Sequence, residues 1–584
     1  MISDNILEVL FTIGICISFF GLIFGVILDR KNIWHELKKS KFNASAITIL
    51  SIALLIFIAV EVYTVKPTQQ LFFDDDIYQA MALSLIHTGR AWMCNYGNAN
   101  ACYVGGVFHE PIGLSFNIAI AYLIFGVNRT ASYVAQVAIT SIAVIFAFLS
   151  SLLLFGKKST AYFSALLIGI SPIVLVWAMP TNSDMAVLAY SLVSFFFLII
   201  FIRKRSVLSM FNLLLSIALL SYMKIDALIV VPIFLVAYIL LSDSISIYGV
   251  IIRDLKLLYN NILNTRFLFA LLIFVIAIYP SIAYASYESI NGTYGYSGTN
   301  IQKSCATGSY SYITSSGKIN VQNFDANICA NLYFWLNKFA SSDVVQPISY
   351  TIAAIIGIAL MTATRRFRIA LVLLIWFFAI FLLYTAFYAG AVTYGVDWRF
   401  MLALMAPFAI FAAFTLGWAV DLISDVLHRV FKLKKHAIAF VPAALCMIFT
   451  ILLLYQTYLL FPILSIKPSS IAQAGDARFY ENFVYASANS IPNSCIVYSY
   501  DPTLYILNNK TSAQMSYLYN SSFYSAAAQE HPCAVLDIGY WCATPGNICG
   551  AFENYSNLSP INTTTYNSTG FTYGVYKIDN LSKV

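Results

Sequence analysis

The chain has 584 residues, 60% of them hydrophobic, 16% aromatic and only 10% charged, with a net charge of +7. A soluble globular chain carries about 25% charged residues, so that class is excluded, and repeated apolar runs near the ~20-residue spanning length indicate a polytopic α-helical membrane protein. The positive balance makes no case for nucleic acid, because the lysines and arginines cluster in short loops between apolar runs.

In chain order, the first apolar segment, about 6–28, ends in Asp29-Arg30-Lys31, the flank of an anchor and not of a cleaved signal. The reading is twelve spans, at roughly 6–28, 44–64, 130–155, 160–179, 184–202, 207–223, 225–242, 267–287, 347–364, 369–391, 399–422 and 437–461. Strict alternation with the N-terminus outside puts 20 of the 33 Lys and Arg in the inner loops, as the positive-inside rule expects. The segment 112–126 is too short for an ordinary span. Counting it as a crossing would also move every later basic cluster outside. It is therefore expected as a surface-lying or re-entrant helix within an outer loop, 65–129.

This divides the chain into an anchor helix and cytoplasmic loop (1–43), a transmembrane unit (44–464) with outer loops 65–129 and 288–346, and an extracytoplasmic domain (465–584). In the last, Ile496-Val497-Tyr498-Ser499-Tyr500 and Ala534-Val535-Leu536-Asp537-Ile538 read as buried strands of a small α/β module. Of ten cysteines, Cys16 and Cys446 fall within spans, and the other eight fall outside. An even set on one side suggests disulfides in an oxidising exterior, with Cys94–Cys102, Cys305–Cys329 and Cys542–Cys549 the natural local pairs. Nine of ten glycosylation sequons also lie outside, Asn43 alone inside.

Five polar groups sit where spans meet the outer face. Asp74-Asp75-Asp76 open a helical pattern in which Ile77, Ala80, Met81, Ser84 and Leu85 share one face. This predicts an amphipathic helix lying on the membrane. Helix capping accounts for the acids equally well. His109-Glu110-Pro111 begins the short helix, where Pro is ordinary. Asp184 lies in the turn Pro180-Thr181-Asn182-Ser183-Asp184, where capping again competes. Lys224 and Asp226 separate two spans, as a snorkelling pair or a phosphate contact. Asp397-Trp398-Arg399 opens a span from outside, where an arginine runs against the charge bias. Together these groups suit an anionic lipid phosphate bearing a sugar: a carboxylate to deprotonate the acceptor hydroxyl, and Lys or Arg to stabilise the departing phosphate. That group leaves readily, so no cofactor is required, although the acids leave room for a divalent metal.

At this point the chain resembles GT-C type glycosyltransferases of the protein O-mannosyltransferase and lipid A aminoarabinose transferase kind. Their first outer loop carries Asp-Glu, a Tyr four residues after the Asp and a Gly eleven after the Tyr; Asp74, Asp75, Tyr78 and Gly89 match, with Asp for Glu. The Pro-containing element and short helix ending in Phe-Gly correspond to His109-Glu110-Pro111 through Phe125-Gly126, followed by Arg129. Asp184-Met185, Lys224, and Arg399-Phe400 with Pro407 match later motifs, in order, across about 44–430. The family's Lys before the Pro is Glu110 here, and Ile77 replaces a basic residue before the Tyr, so phosphate binding falls to Lys224, Arg399 or Arg90. No inserted β-trefoil is present.

The resemblance implies Asp74 (or its neighbour Asp75) as catalytic base, with Tyr78, His109, Glu110, Asp184, Lys224 and Arg399 binding donor or acceptor. It further implies a polyprenyl-phosphate-linked sugar as partner, an exported protein or glycolipid acceptor, and inversion at the anomeric carbon. The site and tail would face the exterior of the cell (plasma) membrane. An oligosaccharyltransferase shares the architecture, but its Trp-Trp-Asp-Tyr-Gly motif is absent from the tail. A transporter would show paired halves, and no such repeat is evident.

Overall fold

The computed structural model describes residues 4–64, 72–104, 111–242, 265–291, 299–303, 310–314, 347–387, 395–431, 435–466, 472–539, 542, 558–565 and 571–579. Helices α1 (Asp4–Lys39), α2 (Ala44–Thr64) and α3 (Phe72–Thr88) are followed by strands β1 (Cys94–Asn98) and β2 (Ala101–Val104) and helix α4 (Gly113–Phe125). Next come α5 (Arg129–Phe155), α6 (Lys158–Ile170), α7 (Pro172–Trp177), α8 (Ser183–Lys204), α9 (Val207–Met223) and α10 (Val230–Leu241). After α11 (Thr265–Asn291) a hairpin, β3 (Thr299–Lys303) and β4 (Tyr310–Thr314), precedes α12 (Ile348–Ala363), α13 (Phe367–Phe387), α14 (Met405–Phe431) and α15 (Lys435–Ile466). The tail adds α16 (Ala472–Ala488), β5 (Cys495–Ser499), α17 (Pro502–Ile506), β6 (Thr511–Gln514), α18 (Ser521–Glu530), β7 (Cys533–Ile538), β8 (Leu558–Thr565) and β9 (Thr572–Ile578).

Among the described residues seven helices are long and apolar enough to cross a membrane, and five shorter apolar helices accompany them. The protein is thus a multi-pass membrane protein. A helix that is apolar all round must be enclosed by others. That helix is α8, buried from Ser183 to Ile200 and flanked by α5 and α9. By contrast α1 and α2 turn Phe20, Phe24, Leu55 and Val62 outward, as lipid-facing surfaces do. The basic loops gather at one end of the bundle. There Arg203 and Lys204 pair with Glu36 at 3.4 and 3.1 Å, Lys157 pairs with Asp421, and Lys158 reaches Asn43 at 2.8 Å.

Three expected spans are not continuous α-helices. The one read at 160–179 is split into α6 and α7 at Ser171, which is extended (φ −61°, ψ 130°). Pro172 lacks an N–H and drives the residue before it out of the helical region. The spans expected from 225 and 399 open as 3₁₀ turns, Ile225–Ile229 and Gly395–Leu404. Helix α4 has 13 residues, about 20 Å of rise against a hydrocarbon core of about 30 Å, and packs on α3, α5 and α9. Gly113 lets it approach, since a Cβ there would meet the Tyr222 carbonyl oxygen at 2.5 Å. The amphipathic reading of α3 needs correction: Asp75 through Ser84 are all buried, because α4 covers one side of the helix and the tail's α16 and α17 another.

The tail is an α/β module whose sheet has the order β2-β1-β6-β5-β7-β9-β8. Strands β6, β5 and β7 run parallel. Alternate residues feed two cores: Val497 and Val535 with α16 on one face, Ile496, Tyr498 and Leu536 with α18 on the other. Two of its strands, β1 and β2, come from the segment between α3 and α4, with Tyr96 and Gly97 paired to Ala513 and Ser512. The expected Cys94–Cys102 disulfide is present, and a second links Cys495 to Cys533 on adjacent strands. That bond joins residues distant in sequence, so local spacing misses it. Cys542 is also disulfide-bonded; Cys305, Cys329 and Cys549 lie outside the described residues.

Candidate functional site

The first turn of α3 brings Asp74 to the end of the bundle opposite the basic loops. Across from it, Asn182 caps α8, its Oδ1 accepting from the Met185 N–H at 2.9 Å. The capped turn places Asp184 in the first turn of α8, where the helix dipole favours an acid. Helix α9 stops at Met223, and Lys224, in extended conformation (φ −163°, ψ 139°), joins it to the 3₁₀ turn that follows. The turn Gly395–Leu404 supplies Arg399, packed against α7 and α8.

These four side chains form one cluster. Arg399 Nη1 donates to Asp74 Oδ2 at 2.5 Å, and its Nε lies 3.5 Å from Asp184 Oδ2. Lys224 Nζ donates to Asp184 Oδ1 at 2.8 Å and lies 3.9 Å from Asp226. Asp184 thus serves both cations, with its side chain only 2% exposed, while Asp74 keeps 24%. Beneath both lies the buried ring of Phe400, its centroid 4.4 Å from Lys224 Nζ and 5.1 Å from the Arg399 guanidinium carbon. The negative face of an aromatic ring attracts both charges.

The remaining acids of α3 have other partners. Asp75 is fully buried and accepts from the Thr181 hydroxyl. Asp76 is buried too: desolvation pushes its carboxyl up to about 7, the charge of Asp75 adds to the rise, and the hydroxyl and amide of Thr503 oppose it. Tyr78 lies one helical turn beyond Asp74 and is buried. His109 and Glu110 fall outside the described residues. Among the described residues no three His, Cys, Asp or Glu side chains gather as metal ligands, and Asp74 and Asp184 are already matched by cations.

The structure therefore brings Asp74, Asp184, Lys224 and Arg399 together and sets Asp75 behind them. Sequence reasoning did not single out the roles of Phe400, Thr181 or Thr503. Phe400 carried a signal, since it follows Arg399 directly; the two threonines carried none.

The family model for dolichyl-phosphate-mannose-protein mannosyltransferase matches residues 109–284, under a third of the chain. No curated protein is a sequence match. Among solved structures, ArnT from Cupriavidus metallidurans bound to undecaprenyl phosphate superposes with a TM-score of 0.50 at 13% identity, over 92% of this chain and 98% of that one. Its apo state gives the same score and identity. The oligosaccharyltransferase of Archaeoglobus fulgidus in complex with zinc and sulfate has a TM-score of 0.45 at 14% identity, over 90% and 72% of the two chains.

Proposed function

We propose, on the premise that this chain has the architecture of the GT-C type glycosyltransferases, that it transfers a single sugar from a polyprenyl-phosphate carrier, dolichyl or undecaprenyl, to an exported protein or a lipid-linked glycan. The observation that carries this reading is the single cluster of Asp74, Asp184, Lys224 and Arg399, drawn from four separate elements. ArnT in complex with undecaprenyl phosphate shares the fold, which supports that class of carrier.

In this reading Asp74 takes the proton of the acceptor hydroxyl. The oxygen attacks the anomeric carbon from the face opposite the phosphate, inverting it. The carbon–oxygen bond to phosphate breaks, and the phosphate leaves with the electron pair, stabilised by Lys224 and Arg399. Asp74 is a better candidate than Asp75, which has no exposed surface and is bound to Thr181. Arg399 donates to Asp74, and a phosphate that draws the guanidinium toward itself would free Asp74 as the base. Donor binding would therefore arm the base. The basic loops at the far end of the bundle support an exterior site.

The test is purified protein incubated with a panel of lipid-phosphate sugars, following release of the carrier phosphate. Asp74→Asn should abolish release while leaving expression and fold intact, and near-normal activity would remove Asp74 from its role. Lys224→Ala and Arg399→Ala should each raise the donor KM by about tenfold or more, since a hydrogen bond to a charged group contributes roughly 1.5–3 kcal/mol.

A further inference from the structure

We infer that Glu481, carried by the C-terminal module, is a positioning residue for the acidic first turn of α3, so that the module is a fixed wall of the reaction site. The inference rests on the function proposed above and extends it from the cluster to what holds the cluster in place.

Three joints run from the module to the acids. The first is the sheet: α3 ends at Thr88, β1 begins at Cys94, and β1 is hydrogen-bonded into the module through β6. Asn95 Nδ2 adds a bond to Gln514 Oε1 at 3.0 Å. The far end of α3 is thereby tied to the tail. The second joint is packing: α16 and α17 both lie against α3.

The third joint passes through α5. Glu481 of α16 is buried, its carboxylate 2.6 Å from Arg129 Nε and accepting from the Tyr133 hydroxyl at 2.7 Å. Arg129 and Tyr133 are four residues apart, on one face of the first turns of α5. Three residues further, Gln136 Nε2 donates to the Asn182 carbonyl at 3.1 Å. Asn182 belongs to the turn whose Thr181 holds Asp75 and whose next residues place Asp184. The start of α5 thus lies between the module's buried carboxylate and the turn that grips α3.

A buried ion pair is a weak source of net stability but fixes geometry, because removing one partner leaves an uncompensated buried charge. Placed here, such a pair sets the register of α5 against the module, and with it the turn around Asp75. Glu481, Arg129 and Tyr133 bear on the turn at Asn182 through α5, so their loss should harm base alignment more than donor binding, and rates are sensitive to alignment at the ångström scale.

The experiment measures kcat and donor KM, per folded molecule, for full-length Glu481→Gln and for Tyr133→Phe, which removes the hydroxyl bonded to Glu481. The expected result is a kcat lowered about tenfold or more, a donor KM within about twofold of wild type, and partial recovery in Glu481→Asp. Wild-type kcat in both variants overturns the inference. So does a loss confined to donor KM, or a loss of folded protein with unchanged turnover. Should Glu481→Gln fail to fold, the near-isosteric Tyr133→Phe decides alone by the same split. If wild-type protein releases no carrier phosphate from any lipid-phosphate sugar, the proposed function fails and this inference with it; active wild type with indifferent variants refutes only the positioning.

Discussion

Asp184 sits between Lys224 and Arg399, a single buried acid serving two cations, and Phe400 lies under both. Held this way, the cations lose little freedom when an anion arrives, which is the benefit of preorganised charge. Asp76 behaves differently, because its carboxyl is raised to about 7 by burial from an unfolded value near about 4. The folded protein therefore holds a proton between those values that the unfolded chain releases. Stability from this source is fully present below about pH 4 and is lost as pH rises through about 7. Asp537 acts in the same direction, raised to about 6 by burial, with the Tyr480, Ser499 and Tyr505 hydroxyls opposing the rise. Thermal melts of the purified protein should fall in midpoint from pH 5 to pH 8, and Asp76→Asn should flatten that slope; a slope unchanged in the variant would count against this account. At this scale the sequence was readable where a charged residue interrupts the end of an apolar run, as at Asp184, Lys224 and Arg399. Thr181 and Glu481 were not readable, because their roles arise only from neighbours 106 and 348 residues away.

At the scale of elements, apolar periodicity locates spans but does not distinguish α from 3₁₀ winding over five to ten residues. The turns Ile225–Ile229 and Gly395–Leu404 were accordingly read as the beginnings of plain spans. Both flank the cluster, and 3₁₀ stretches of this length are uncommon outside strained or functional positions. The kink at Ser171 was readable in principle from Pro172. The burial of α3 on all sides was not, because it depends on a module joined to it through the sheet. Helix α4 offers a test. A methyl group at Gly113 would stand 2.5 Å from the Tyr222 carbonyl oxygen and 2.6 Å from Met223 Sδ, and Met223 is the last residue of α9 before Lys224. Gly113→Ala must therefore push α4 and α9 apart or shift the end of α9. We expect a lower melting temperature together with a raised donor KM. A variant that loses stability while keeping wild-type donor KM would show that the close approach serves packing alone.

For the whole molecule, charge and covalent chemistry point the same way. One end of the bundle joins Glu36, Lys157, Arg203, Lys204 and Asp421 in ion pairs. The other carries the acid cluster and a module closed by the Cys94–Cys102 and Cys495–Cys533 disulfides. Basic loops are retained on the cytoplasmic side, and disulfides persist in oxidising compartments. We propose the orientation that both constraints favour, with the loop at 203–206 inside and the chain's end outside. A reporter active only in the cytoplasm should work when inserted at 203–206 and fail when fused after Val584, with the reverse for a reporter active only outside. The free thiols of Cys16 and Cys446 lie within helices α1 and α15 and do not disturb this reading. A cytoplasmic signal from the chain's end would place both disulfides in a reducing compartment and the acid cluster on the inner face. The proposal of an exterior reaction on an exported acceptor would then have to be abandoned, even if the cluster still transferred sugar.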